Sequence, residues 1–163
     1  MEINLYPTEC NICGAEVEYT SNAEIYGKQY GSGWCYLCSN PYCDSYVGTH
    51  TTRPKKAFGL LANANMRKGK ILCHDIFDSK WRGKNKAKRK RRELYRWLAE
   101  QLDISVNGCH FGYFDLYTLR RAYRILLQIK DVDLKYDNKG RIVNTVKISQ
   151  NQEGLYGKDD VLR

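Results

Sequence analysis

Four cysteines near the N-terminus have the side-chain type and the spacing of a zinc site; they are Cys10, Cys13, Cys38 and Cys43. The first two are separated by two residues, and Gly14 directly after them supplies the permissive backbone that a tight metal-binding turn requires. The second two flank Ser39, Asn40 and Pro41, turn formers that let the chain bend back and bring both thiolates together. Four thiolates fill the coordination shell of one ion, so the sequence predicts one structural zinc rather than a catalytic one.

Cys35 is an alternative ligand, because two residues separate it from Cys38, as two residues separate Cys10 from Cys13. The aromatic and aliphatic run from Trp34 to Leu37 predicts a strand, in which residues i and i+3 point to opposite faces. Cys35 and Cys38 should then diverge, which favours Cys43 as the partner of Cys38. The N-terminus has neither the basic start nor the apolar stretch of a secretory signal, so we expect thiols in a reducing compartment rather than disulfides.

The positive charge of the chain is unevenly distributed. Of the 163 residues, with a net charge of +9, residues 1–49 carry one lysine against six acidic residues, a net charge of −5. Residues 50–100 carry sixteen Lys or Arg against four acidic residues, a net charge of +12. Four thiolates on one dication add about two negative charges to the first segment. The cysteine-rich segment is therefore not expected to contact a phosphate backbone, whereas the middle of the chain is. No apolar run approaches the length of a membrane span.

Short strands, three helices and a terminal hairpin are expected to position these residues. Residues 8–49 predict short strands around the metal, with turns at residues 21–22 and 31–33. Apolar spacing and capping residues predict three helices, which are Asn63 to about Trp81, Asn85 to Asp103, and one that follows Asp115. Val132 to Tyr136 and Ile142 to Ile148 flank a turn at residues 137–140 and predict a hairpin.

The most basic stretch of the chain opens the second predicted helix. Ten cations lie between Lys80 and Arg96, opposed only by Glu93. A solvated helix face is the ordinary interpretation of such a run. Here the macrodipole disfavours positive charge in the first turns by about 0.3 to 1 kcal/mol each, and phosphates would remove that penalty and accept backbone hydrogen bonds. The predicted phosphate contacts are Lys84, Lys86, Lys88, Arg89, Lys90, Arg91, Arg92 and Arg96, with Arg120, Arg121 and Arg124 extending the patch.

The first 46 residues are also rich in tyrosine and tryptophan. One interpretation is a stacking surface for unpaired bases, for which the candidates are Trp34, Tyr36 and Tyr42. The other is that a module with few aliphatic residues builds its core from aromatic rings. The acidic charge of this segment favours the second interpretation for most of the rings, because stacking platforms normally lie in basic grooves.

Two Cys-His pairs outside this segment raise the alternatives of a second metal site and of catalysis; they are Cys73-His74 and Cys109-His110. Neighbouring residues rarely aim at one ion, and Cys73 lies on the apolar face of its predicted helix, as a small core residue would. A nuclease built on His74, Asp75 and Asp78 would need a second carboxylate cluster that the sequence does not show. No phosphate-binding glycine loop, HExxH or GxSxG motif occurs, so no enzymatic activity is expected.

Two resemblances rest on these residues. Cys10-Asn-Ile-Cys-Gly14 and Tyr36-Leu-Cys-Ser-Asn-Pro-Tyr-Cys43 are similar to the zinc ribbons at the C-terminus of bacterial type I DNA topoisomerases, in which aromatic residues around the metal help to hold single-stranded DNA. Over about residues 8–128, the segments 73–81, 94–100 and 109–115 resemble a zinc-finger-containing family common in bacteriophages and prophages. That family has no established activity, so the resemblance implies a layout and a phage or prophage context, with the bacterial host cytoplasm as the location.

The sequence thus predicts an α+β protein with a zinc ribbon at residues 1–50, a basic helical domain at 51–130 and a β-hairpin and tail at 131–163. The expected function is non-catalytic binding of nucleic acid, DNA or RNA, through the basic helix. The alternative is a phage-encoded interaction protein that inhibits a host machine, such as a defence nuclease complex of the CRISPR type or the transcription apparatus. It would present an acidic aromatic surface to a host protein and a basic surface to that protein's nucleic acid.

Overall fold

A computed structural model describes residues 3–145 of the chain. The chain forms two compact units, Met1–Arg67 and Lys68–Arg163. The predicted division at residues 50 and 130 stays a prediction. Within the described residues, no helix is both long and apolar enough to cross a membrane.

The first unit is built on a three-stranded antiparallel sheet. Its elements are β1 (Val17–Ser21), the short helix α1 (Ala23–Tyr26), β2 (Trp34–Cys38) and β3 (Tyr46–Gly48). β2 is the central strand, and its register pairs Tyr36 with Tyr19 on one side and with Val47 on the other. Directly opposed residues share a face of the sheet, so these three side chains lie on one face, which packs onto a buried cluster that includes Leu61.

Three longer helices follow: α2 (Ala64–Ser79), α3 (Ala87–Leu102) and α4 (Leu116–Leu127). Between α3 and α4 lie two 3-10 turns, Val106–Gly108 and Phe111–Tyr113. The largest fully buried side chains of the second unit are Phe77, Leu94, Leu98, Leu102, Phe111, Leu119 and Leu126. The predicted α+β class, with a sheet before the helices, is confirmed.

The helix ends follow from their capping residues. Asn63 Oδ1 accepts a hydrogen bond from the backbone N–H of Met66 at 2.9 Å, and Asp115 Oδ1 accepts one from Thr118 at 2.7 Å. At the start of α3, Lys86 has a φ of 55° and no side-chain cap, so the helix begins two residues later than predicted.

The predicted hairpin is present as a turn. Gly140 donates its backbone N–H to Asp137 at 2.8 Å, and a single antiparallel bridge joins Tyr136 to Ile142. The predicted second strand runs to Ile148, and its residues 146–148 lie outside the described residues.

Candidate functional site

The four cysteines predicted as ligands lie together in the first unit. Two come from the turn before β1, one from the end of β2 and one from the turn that follows; they are Cys10, Cys13, Cys38 and Cys43. The sulfurs of Cys10 and Cys43 are 3.9 Å apart, and those of Cys13 and Cys38 are 3.4 Å apart. All four sulfur atoms lie within 4.8 Å of one another.

This geometry fits one zinc ion. Sulfurs at tetrahedral corners, each about 2.3 Å from zinc, are about 3.8 Å apart, which is close to both measured separations. The turns that deliver the sulfurs are tight, since Gly14, with a φ of 74°, donates its N–H to Cys10 O at 2.9 Å. In the second turn, Cys43 donates its N–H to Asn40 O at 2.9 Å. The protein therefore binds one structural zinc, as the sequence predicts.

Ser45 also belongs to this centre, although the spacing of the cysteines does not predict it. Its side chain is fully buried, and its hydroxyl lies 3.1 Å from Cys10 Sγ and 3.0 Å from Cys43 Sγ. Burial raises the pKa of Cys10, but hydrogen bonds from Ser45 and the neighbouring backbone outweigh it and lower the pKa to about 7. At Cys38 burial prevails and raises the pKa to about 12. In the sequence, the only indication of this role is the position of Ser45 two residues after the last ligand, Cys43.

Cys35 lies on the other face of β2. It is 1% exposed, and burial raises its pKa. The alternation of side chains along the strand separates it from Cys38, as the strand geometry predicts. Cys35 is not a member of the four-sulfur cluster.

The three ring residues considered for stacking have different surroundings. Tyr36 is 6% exposed, and its hydroxyl donates to Lys55 O at 2.8 Å, so its ring belongs to the core of the unit. Trp34 is half exposed and stacks on Tyr19 with ring centroids 5.2 Å apart. Tyr42 is 97% exposed. A stacking role for Trp34 and Tyr42 stays a prediction.

Four of the predicted phosphate-binding cations form an exposed basic set at the start of α3: Lys86, Lys88, Arg91 and Arg92. The buried side of this helix carries Leu94, Trp97 and Leu98, so the apolar stripe faces the core and the cations face solvent.

Partners within the second unit are found both in the exposed basic set, where Arg92 Nε lies 3.9 Å from Glu93 Oε1, and for the other four predicted phosphate-binding cations. Lys84 Nζ lies 3.9 Å from Asp133 Oδ1, and Lys90 Nζ lies 5.4 Å from the centre of the Tyr136 ring. The guanidinium of Arg89 packs against Gly140. Arg96 forms an ion pair with the buried carboxylate of Glu93. On α4, Arg124 is exposed, whereas Arg120 and Arg121 are half-buried.

The two Cys-His pairs do not join a metal cluster in the described part of the chain. Burial raises the pKa of both thiols, Cys73 and Cys109, to about 12. Cys73 is completely buried, with its sulfur 3.7 Å from Leu119 O, as expected for a core residue. His74 packs its ring edge-on against Phe111 with centroids 4.8 Å apart.

Comparison with known proteins supports the assignment of the four cysteines as a zinc centre. Residues 6–129 match DUF3268, a zinc-finger-containing domain, and this span includes all four clustered cysteines and the three longer helices. No curated protein and no solved structure matches the chain. Since the match covers most of the chain, the protein belongs to the DUF3268 family of zinc-finger-containing domains.

Proposed function

We propose that this zinc-binding protein binds nucleic acid without catalysis, through phosphate contacts at the start of α3. The observation that carries the proposal is the exposed basic set, Lys86, Lys88, Arg91 and Arg92. Lys86 lies at the N-cap and the other three lie in the first two turns of the helix, where repulsion among them and with the macrodipole is greatest. Such a cluster raises the free energy of the helix when no polyanion is bound, and a bound polyanion would remove this repulsion.

The start of α3 also supports an anion partner. Lys86 occupies the N-cap position and provides no side-chain acceptor for the first backbone N–H groups. Phosphate oxygens accept hydrogen bonds from such groups and neutralise nearby cations at the same time. Contacts of this kind provide affinity without sequence preference.

In the proposed function, the zinc ion stabilises the fold and takes no part in a reaction. Four thiolates leave no open position on the ion for a substrate or a water molecule. The burial and raised pKa of Cys73 and Cys109 keep both thiols protonated, which makes them poor nucleophiles. The proposed location, the cytoplasm of a bacterial host, is a reducing compartment that suits free thiols.

Fluorescence anisotropy with a labelled oligonucleotide, measured at several salt concentrations, tests the proposal. Replacement of Lys88 and Arg92 with Ala should weaken binding to all sequences similarly and reduce the slope of log K against log salt by about 2, one for each lost phosphate contact. The matched control is Lys28→Ala with Arg53→Ala, which removes the same two side-chain types from exposed positions in the first unit. Affinity that does not change with salt, or an equal loss in the control, would contradict the proposal.

A second candidate is an interaction protein that acts on a host machine in a phage context. It is supported by the acidic balance of residues 1–49 and by the exposed rings of Tyr42 and Trp34, features that suit a basic protein partner. Pulldown from bacterial lysate with and without nuclease separates the two candidates. Partners that survive nuclease favour the interaction protein, and partners lost with nuclease favour the nucleic-acid binder.

A further inference from the structure

Cations and aromatic rings alternate on the second unit, next to the exposed basic set. The guanidinium carbon of Arg91 lies 5.2 Å from the centre of the Trp81 ring and 5.5 Å from the centre of the Tyr95 ring. Arg82 lies 5.6 Å from the same Trp81 ring. Trp81 is therefore in contact with two guanidinium groups, one from the turn after α2 and one from α3.

Asp78 holds two members of this group in place. Its Oδ1 accepts a hydrogen bond from Trp81 Nε1 at 2.9 Å, and its Oδ2 accepts one from Arg82 Nη2 at 2.6 Å. The Asp78 side chain is 17% exposed, whereas that of Arg82 is 70% exposed. A largely buried carboxylate thus fixes the edge of the indole and the direction of the arginine, while the guanidinium remains accessible to solvent.

The row continues past Tyr95 through two further rings. The imidazole of His110 is nearly parallel to the Tyr95 ring, with centroids 6.3 Å apart, and the Tyr113 ring lies 4.9 Å from His110. His110 is exposed, and Tyr113 is half-buried. The row thus comprises Arg82, Trp81, Arg91, Tyr95, His110 and Tyr113, each in contact with the next.

From this row we infer a binding site for single-stranded nucleic acid, an inference that rests on the proposed function and names its substrate class. Bases that are not paired stack on aromatic rings and on guanidinium planes, and the phosphates between them pair with the cations. Arginine serves both purposes, because its planar group stacks on a ring and also binds phosphate. A duplex keeps its bases inside the helix, so it would use the cations but not the rings.

This site differs from the stacking surface that the sequence suggests. Trp34 and Tyr42 lie in the segment with a net charge of −5, whereas the Trp81 ring is in contact with Arg82 and Arg91. A phosphate beside a stacked base is repelled in the first environment and attracted in the second.

Trp81→Ala tests the inference, with affinities for a single strand and for a duplex of the same length measured by anisotropy. Loss of one stacked base, about 1 to 3 kcal/mol, corresponds to a roughly 5- to 150-fold weaker affinity for the single strand. Duplex affinity should change by less than about twofold. Trp81→Phe, which keeps an aromatic face, should restore most of the single-strand affinity. Tyr30→Ala, which removes a 74% exposed ring from the first unit, is the control and should have no effect.

Photo-crosslinking of the unmodified protein to a single strand that contains 5-iodouracil gives a second readout that does not depend on a variant folding. Crosslinks at Trp81 or Tyr113 are expected. Crosslinks confined to Trp34 and Tyr42, or equal losses of single-strand and duplex affinity in Trp81→Ala, would overturn the inference. If Trp81→Ala binds normally while the Lys88 and Arg92 double variant does not, the stacking site is wrong and the basic helix stands. If the unmodified protein binds no oligonucleotide, the proposed function fails as well.

Discussion

The hydroxyl oxygen of Ser45 lies 3.1 Å from the sulfur of Cys10, and both residues are buried. A hydroxyl hydrogen bond to a thiolate spreads its negative charge, which matters where four thiolates surround one dication. Because Ser45 lies as close to Cys43, its single proton can support either of two ligands that come from different turns. The side chain therefore links the two halves of the centre as well as stabilising its charge.

Ser45→Ala should weaken zinc binding while leaving all four ligands in place. Loss of an outer-shell partner typically lowers metal affinity by about 10- to 100-fold, and a value in this range is expected here. Competition with a chromophoric chelator measures the affinity. Ser39→Ala is the control and should bind zinc normally, because Ser39 is exposed in the turn between Cys38 and Cys43. Equal affinities for the two variants would show that Ser45 does not support the ligands.

Cys35→Ser should keep the bound zinc and Cys38→Ser should lose it, although the two residues are three positions apart on one strand. Cys38 supplies one of the four clustered sulfurs, so its replacement should abolish stoichiometric zinc and unfold the first unit. Cys35 lies on the other face of β2, so its variant should retain one zinc per chain. Elemental analysis after dialysis gives the metal content of each variant. Zinc loss from Cys35→Ser with a folded first unit would contradict this assignment.

The parts of the fold that depend on local chemistry could be predicted from the sequence. The alternation of side chains along β2 separated Cys35 from Cys38, and the carboxylate of Asp115 predicted the start of α4. Each of these conclusions depends on residues within a few positions of each other. The zinc centre was predictable for the same reason, since each pair of its ligands lies in one short turn.

The features that depend on distant residues were not predictable. Lys80 is one of ten cations in the basic stretch, but its side chain is 7% exposed and binds the carbonyls of Lys130 and Val132. Likewise, Arg89 packs against Gly140, about fifty positions along the chain. From their charge and their position along a helix, such residues are predicted to be exposed. They are covered by a segment that is distant in sequence, which local patterns do not reveal. The basic surface is therefore smaller than the run of cations suggests.

Gly140→Ala should destabilise the second unit more than Gly83→Ala does. Both glycines have positive φ, 80° and 71°, so an alanine at either position costs about 1 to 2 kcal/mol of backbone strain. A Cβ at Gly140 would also force the guanidinium of Arg89, the far end of a flexible side chain, to move at a small further cost, whereas a Cβ at Gly83 would meet no atom within 4 Å. Urea unfolding measures the difference. An equal or larger loss of stability in Gly83→Ala would contradict this prediction.

Lys80→Met should lower the stability of the second unit, whereas Lys84→Met should not. Lys80 Nζ donates to Lys130 O at 2.6 Å and to Val132 O at 3.0 Å, and its loss leaves both carbonyls without this donor, at a cost of about 1 to 3 kcal/mol. Lys84 is 40% exposed and pairs with an exposed carboxylate at 3.9 Å, so its replacement should change the free energy of unfolding by less than about 1 kcal/mol. Similar losses in both variants would contradict this distinction.

The pH dependence of stability provides an independent check on Lys80. Burial, and to a lesser extent the charge of Lys84, lowers the pKa of Lys80 below its ordinary value of 10.5. Just below pH 10.5 the unfolded chain therefore binds more protons at this position than the folded protein, so the free energy of unfolding gains a term that rises with pH. Tyrosines also titrate in this range, and subtraction of the Lys80→Met values at each pH removes their contribution. The stability difference between the unmodified protein and Lys80→Met should grow as the pH rises toward 10.5. A difference that shrinks over this range would mean that the pKa of Lys80 is raised, and that its charge is better stabilised by the two carbonyls than by water.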